Sequence, residues 1–376
     1  MLCLAPMLLA AQAPGRLVRT EPLLRIGDDA SPVSLGAIGT ALFDARSRLL
    51  VADNSDGAVL TIDANGREVA RFGRTGAGPG EFRTIDHMGW TADTLWIYDG
   101  TLRRVTFVHG GRLLRVDATQ PRVPAGLASA TPLSVGRDGT EFGLAAFARG
   151  APPRGLPGHL LYRRRRGAAP VDTVMWLARR NSALVLQINA GGQASQLRGT
   201  QPLDDAPLVV GRHAGGFVVI DRPAAAQRGE STVTVRAFDA IGAPAFQTTF
   251  AVAAVPVTEA IRAEVRSRLC VSRRTPAAQR MCTDEEADRA LWFPPVLAPA
   301  SGATGCSDGA LWVRLADAPF ARAQEYQGFS AEGKDLGRLR LEPNAHILDC
   351  RGDRVAVAVR TGTSFDPLIT IRRVLR

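Results

Sequence analysis

The chain has 376 residues, of which 45% are hydrophobic and 22% charged, which excludes a disordered chain and leaves room for one large domain or two ordinary ones. Its 38 glycines and 24 prolines favour many short strands joined by tight turns over a helical fold. The net charge is +10, but Lys334 is the single lysine, so this charge reads as an arginine-rich compositional bias that aids solubility, with an anionic partner as the functional alternative.

In chain order, the first element is Met1 to Ala13, a short apolar run ending in Ala11-Gln12-Ala13, with Pro14 and Gly15 behind it. A small-residue site after an apolar run is a cleavage pattern. The sequence therefore predicts a signal peptide over 1–13 and an exported protein, periplasmic or extracellular, with one folded domain over 16–376. No basic segment precedes the apolar run, which is consistent with a start upstream of Met1. No other stretch reaches the ~18 apolar residues that a membrane-spanning helix needs.

The next elements repeat. Leu49-Leu50-Val51-Ala52-Asp53 matches Leu95-Trp96-Ile97-Tyr98-Asp99 at an offset of 46, and Val59-Leu60-Thr61-Ile62 matches Val105-Thr106-Phe107-Val108 at the same offset. Each unit reads strand, polar turn, strand, glycine turn, strand. A period in the forties with that content predicts a β-propeller blade of four antiparallel strands. A divergent copy falls at about 130 to 178, and further copies at Gly216–Asp221 with Thr232–Asp239, at Ala310–Val313 with Tyr326–Phe329, and at Arg354–Val359 with Leu368–Ile371. The total predicts six blades. The last unit stops after its third strand, and Pro22–Gly27 resembles the missing outer strand, so the N-terminal strand is expected to complete the C-terminal blade over 346–376. Such closure hides edges that invite aggregation.

The connector Gly73-Arg74-Thr75-Gly76-Ala77-Gly78-Pro79-Gly80-Glu81-Phe82, with the Asp-ended strands and Asp93-Thr94-Leu95-Trp96-Ile97-Tyr98-Asp99, resembles the NHL-repeat type of six-bladed propeller, especially an exported bacterial subgroup with such connectors. The resemblance is fullest over about 40 to 117 and returns over about 290 to 376. It implies an all-β fold and a functionally mixed family, some of whose enzymes place channel histidines on a metal.

Several motifs invite chemistry. The glycine connector lacks the lysine and the following helix of a phosphate loop, and reads as a turn needing positive φ. Asp53, Asp99 and Asp221 end matching strands and read as turn caps, with a ring of carboxylates as the alternative. His87 and His346 fall on predicted innermost strands, and with Asp86 they would make a thin divalent-metal site, since catalytic metals usually take three protein ligands. Arg163 to Arg166 read as a solvated hairpin tip, with a patch for an anionic polymer as the alternative. Glu285 and Glu286 lie in a predicted helix and read as solvated, and no nucleophile elbow is present. Aromatic residues are 6% of the chain and not interleaved with basic ones, so nucleic acid is not expected as a partner.

One segment breaks the strand pattern. Ile261, Val265 and Leu269 make an amphipathic stripe behind Thr258, a predicted N-cap, and Thr283-Asp284-Glu285-Glu286 fits a capping box. Together they predict a short helical insertion over 256–292, between the fourth and fifth blades. Cys3 leaves with the signal peptide, and Cys270, Cys282, Cys306 and Cys350 form an even set for an oxidising compartment. The preferred pairing is Cys270 with Cys282 across the two helices. Cys306 and Cys350 hold equivalent places in neighbouring blades and are either bridged or reduced and buried.

The functional expectation is an exported binding module of the cell envelope for a protein, peptide or glycan, monomeric, with no cofactor. The alternative is a lactonase-like hydrolase or lyase with a divalent metal in the channel.

Overall fold

The computed structural model describes residues 16–28, 30–119, 121–147, 158–168, 170–178, 183–190, 193–213, 215–224, 229–272, 279–316, 323–360 and 367–375. The expected signal peptide and Cys3 lie outside the described residues.

The 46-residue repeat builds one four-stranded antiparallel sheet per copy. Sheet 1 comprises Ile38–Phe43, Leu49–Asp53, Ala58–Ile62 and Glu68–Phe72; sheet 2 comprises Ile85–Thr91, Thr94–Asp99, Arg104–His109 and Arg112–Ala118. The divergent copy forms sheet 3, from Leu127–Val135 to Asp172–Ala178, and sheet 4 runs from Leu208–Gly211 to Pro244–Ala253. The second strand of sheet 1 is buried along its whole length, whereas its fourth strand is nearly all exposed. Continuous burial replaces in-out alternation because each inner strand has apolar neighbours on both faces.

Six separate blades were expected, and the hydrogen bonding corrects this. Four four-stranded sheets stand alone, eight further strands join in one sheet 5, and two two-stranded hairpins lie outside these sheets. One half of sheet 5 is Ala300–Gly305, Leu311–Leu315, Gln324–Phe329 and Asp335–Leu341; the other is Ala345–Arg351, Arg354–Arg360, Pro367–Leu375 and Leu17–Ile26. The cause is the length of Leu17–Ile26, ten residues. Its later part runs antiparallel to Pro367–Leu375, with Leu24 opposite Ile371 and Ile26 opposite Ile369. Its first residues reach further, pairing in parallel Leu17 with Arg338 and Val18 with Leu339. A strand used on both edges leaves neither half of the sheet open there.

The first strands of sheets 1 to 4 and the two end strands of sheet 5 touch in cyclic order, which gives a propeller-like ring around a central channel. The core is a series of layers between sheets. Phe43, Val51 and Leu60 pack with Ile369 and Ile371; Leu50 and Val59 pack with Leu95 and Val108; Phe142 packs with Phe217. Within the sheets, large rings lie across small partners. Trp96 is paired with Gly89, Tyr162 with Gly143 and Trp312 with Gly328. A Cβ added at Gly328 would stand 2.7 Å from the Trp312 ring, so only glycine leaves room for that aromatic cover.

Helix α1 (Glu259–Cys270) and helix α2 (Asp284–Ala290) lie between sheets 4 and 5. Thr258 Oγ1 accepts from the Ile261 N–H at 3.4 Å, and Thr283 and Glu286 complete the capping box at α2. Ile261, Val265 and Leu291 form a core with Leu184 and Leu186. Those two leucines come from a hairpin, Ala183–Ala190 and Gln193–Thr200, that the sequence reading did not single out. Two disulfides are formed: Cys270–Cys282 with Cα atoms 5.0 Å apart, and Cys306–Cys350 with Cα atoms 4.9 Å apart. Paired cysteines fit an oxidising compartment outside the cytoplasm. Among the described residues, no helix is long and apolar enough to cross a membrane.

Candidate ligand-binding basin and central channel

The turns between first and second strands all gather on one face of the ring. They bring together Asp44–Arg48, Ala92–Asp93, Arg137, His213, Ser307 and Arg351, which line one basin of about 680 Å³. A volume of that order fits a small-molecule ligand. The wall of the basin is the apolar layer between sheets 1 and 2, with Leu50, Val59, Leu95 and Val108 as buried members and Phe72 and Trp90 partly open. Its rim is cationic. Arg48 is held by Asp44 at 2.7 Å, and Arg71 is held by Asp56 and Glu68 at 2.8 Å each. Arg46, Arg137 and Arg351 have no ion-pair partner among the described residues. Asp93 is the one lining carboxylate outside a strong pair, 3.5 Å from His109.

A belt of hydrogen bonds runs beneath this basin. His213 Nδ1 accepts from the Trp90 N–H at 3.4 Å, and the ring also bonds the Gly305 carbonyl. Trp90 Nε1 donates to the Phe43 carbonyl at 2.9 Å, and the Phe43 N–H donates to Asp349 at 2.5 Å. Asp349 also accepts from the Ser307 N–H at 2.8 Å and from the Ser307 hydroxyl. Sheets 4, 2 and 1 and both halves of sheet 5 are thereby linked in turn, and Ser134 Oγ adds sheet 3 by donating to the Gly216 carbonyl at 2.5 Å.

Burial sets the charge states in the belt. Desolvation pushes the His213 imidazole down to about 4, with the Arg351 charge a smaller contribution in the same direction. Desolvation pushes the Asp349 carboxyl up to about 7, against the hydrogen bonds that favour its ionised form. His213 lines both the basin and a smaller channel cavity of about 250 Å³, and so forms the partition between them. The partition is a neutral ring at neutral pH.

The residues singled out from sequence fall into separate places. His87 is half-buried on the first strand of sheet 2, lines the channel cavity and stacks on Tyr98 at 6.3 Å; burial lowers its pKa. His346 lies on the first strand of the second half of sheet 5, opposite Ala358. Asp86 is exposed and accepts the Gly100 N–H at 2.8 Å. The three are not gathered into one ligand set; among the described residues the one such group is Cys306, Asp308 and Cys350, whose sulfurs are bonded to each other.

Asp53 takes the N–H groups of Gly36, Ala37 and Ser55, and Asp99 those of Arg83, Thr84 and Leu102, as turn caps. Asp221 does not do this and pairs with Arg236 at 2.8 Å. In the glycine connector, Glu81 accepts the Gly78 N–H and pairs with Arg74, while Arg104 caps its carbonyls. The arginine run is only partly a solvated tip. Arg163 pairs with Asp172, and the half-buried Arg164 pairs with buried Glu141, which also accepts from the Tyr162 hydroxyl at 2.6 Å. The polar basin residues lie singly in or beside the first turn of each unit, and only the placing of those turns on one face groups them.

No protein-family model and no curated protein matches the chain. Solved structures similar in fold include a Bacteroides fragilis protein described as exported, 9% identical with a TM-score of 0.47 over 96% of this chain and 95% of that one. They also include a member of the DUF4221 family from Bacteroides vulgatus, 8% identical with a TM-score of 0.44 over 96% and 99%. A streptogramin B lyase is 9% identical with a TM-score of 0.42 over 95% and 98%.

Proposed function

We propose that the protein is an exported binding module of the cell envelope and that the basin is its ligand site. The observation that carries this is the joining of an apolar wall, with Phe72 and Trp90 partly open, to three arginines that have no ion-pair partner among the described residues, in one concavity. Pockets that combine a mostly apolar lining with a few placed polar groups are the usual form of ligand sites. The two disulfides support export, since such bonds persist in oxidising compartments. We read sheet 5 as two four-stranded units, which makes six around the axis; the cyclic contact of the first strands supports that reading.

Two measurements test these statements. Export predicts that protein recovered from the periplasm of an expressing bacterium has the intact mass of a chain starting at Pro14; recovery only from the cytoplasm, unprocessed, would sink it. The basin is tested with the neutral fluorescent probe N-phenyl-1-naphthylamine. Ala70 is an exposed lining residue on the fourth strand of sheet 1. Ala70→Trp is expected to fill the basin and weaken probe binding at least ~10-fold, a loss of about 1.4 kcal/mol. Equal affinity in the wild type and Ala70→Trp would refute the assignment.

A further inference from the structure

The charge of the basin says what class of ligand it takes. The deepest lining residues are hydrocarbon: Leu50, Val59, Leu95 and Val108 are buried in the layer beneath, and Phe72 and Trp90 keep part of their rings at the surface. A ligand that covers Phe72 and Trp90 exchanges water for apolar contact there. Around them stand five arginines against two aspartates. Arg48 and Arg71 already have acidic partners, and Asp44 is spent on Arg48. Among the described residues, what remains in the lining is Arg46, Arg137 and Arg351 against Asp93.

These three arginines, without an ion-pair partner among the described residues, come from three different parts of the ring, sheet 1, sheet 3 and the second half of sheet 5. They are therefore not paired along one strand, yet they share one concavity. Guanidinium groups present planar forks of donors that match carboxylate, sulfonate or phosphate oxygens. His213 lies on the same lining but is held neutral by burial, so it adds no charge and the arginines supply the cationic character.

We propose that the basin binds an amphipathic organic anion, with an apolar or aromatic body bedded on the wall between sheets 1 and 2 and an anionic head held by Arg46, Arg137 and Arg351. This rests on the reading of the basin as the ligand site. A volume of about 680 Å³ admits a body of one or two fused rings or a short acyl chain.

The test compares two dyes of similar body on the full chain: the anion 1-anilinonaphthalene-8-sulfonate and neutral N-phenyl-1-naphthylamine. The wild type is expected to bind the anion at least 10-fold more tightly than the neutral dye, with an affinity that falls as sodium chloride rises. Arg46→Gln/Arg137→Gln/Arg351→Gln is expected to weaken the anion at least 10-fold and to leave the neutral dye within twofold. All three side chains are half-exposed or exposed, so the variant should keep the wild-type melting temperature. If the anion is unaffected by the triple substitution while Ala70→Trp removes both dyes, the basin stands and the anionic class is overturned. If Ala70→Trp leaves both dyes in place, the site assignment falls, and this proposal with it.

Discussion

Replacing both Cys306 and Cys350 with alanine is expected to lower the free energy of unfolding by about 4 kcal/mol, the figure given by loop-closure entropy for a bridge between residues 44 apart. The same change at Cys270 and Cys282, 12 apart, is expected to cost about 3 kcal/mol. The two bridges also differ in what they hold. Cys270–Cys282 staples α1 to the start of α2 and stays within the insertion. Cys306–Cys350 joins the first strands of the two halves of sheet 5, and encloses the remaining strands of the first half. Its neighbours Ser307 and Arg351 line the basin. Loss of this bridge is therefore expected to loosen the basin floor and weaken binding of the anionic dye, whereas loss of the other is not. Guanidinium unfolding of the two double variants, with dye titration under native conditions, checks both statements. Equal stability of wild type and Cys306→Ala/Cys350→Ala would contradict the first; equal dye loss in both variants would contradict the second.

The local grammar of this fold is legible in sequence, and its long-range joints are not. The 46-residue offset predicts where strands and turns fall because strand alternation and turn chemistry are local properties. Asp53 and Asp99 could be read as caps because their partners lie 2 to 17 residues away. The capping box at Thr283 and Glu286 was readable for the same reason. The eight-stranded sheet was not, because the parallel pairing of Leu17 and Val18 joins residues at opposite ends of the chain. The hairpin over 183–200 carries a readable period of two in Leu184, Leu186 and Ile188 and a glycine turn at Gly191-Gly192, but it lacks the Asp-ended strand of the repeat. Asp349 sits mid-strand with an ordinary neighbourhood in sequence, while the N–H it accepts belongs to Phe43, 306 residues away. The basin follows the same rule. Arg46 and Arg137 are single turn residues and Arg351 ends a strand, and only the ring makes them neighbours.

Asp349→Ala is expected to destabilise the protein by about 3 kcal/mol, because it leaves the buried Phe43 N–H and the half-buried Ser307 N–H and hydroxyl without their acceptor. The more discriminating result concerns pH. The Asp349 carboxyl titrates near 7 in the folded chain and near 4 when unfolded. Between those values the folded state holds the extra proton, so this group's contribution to stability falls as pH rises from about 4 to about 7. His213 has the opposite sign. Its folded value is about 4 against an unfolded value near 6.5, so the unfolded state holds the extra proton and stability is lost as pH falls from about 6.5 to about 4. The two groups thus oppose each other over the same window, each with a slope of up to about 1.4 kcal/mol per pH unit. Asp349→Asn, which removes the first term, is expected to become more stable relative to wild type as pH rises from 4 to 6.5. His213→Gln, which removes the second, is expected to become less stable relative to wild type over the same range. Urea unfolding of the three chains at half-unit pH steps reads both slopes. Parallel curves for all three would mean that neither group is held away from its ordinary titration by the belt. Opposite slopes would mark the belt under the basin as a balanced pair, in which a buried acid and a neutral imidazole keep the joint between five sheets nearly indifferent to pH while each alone would not.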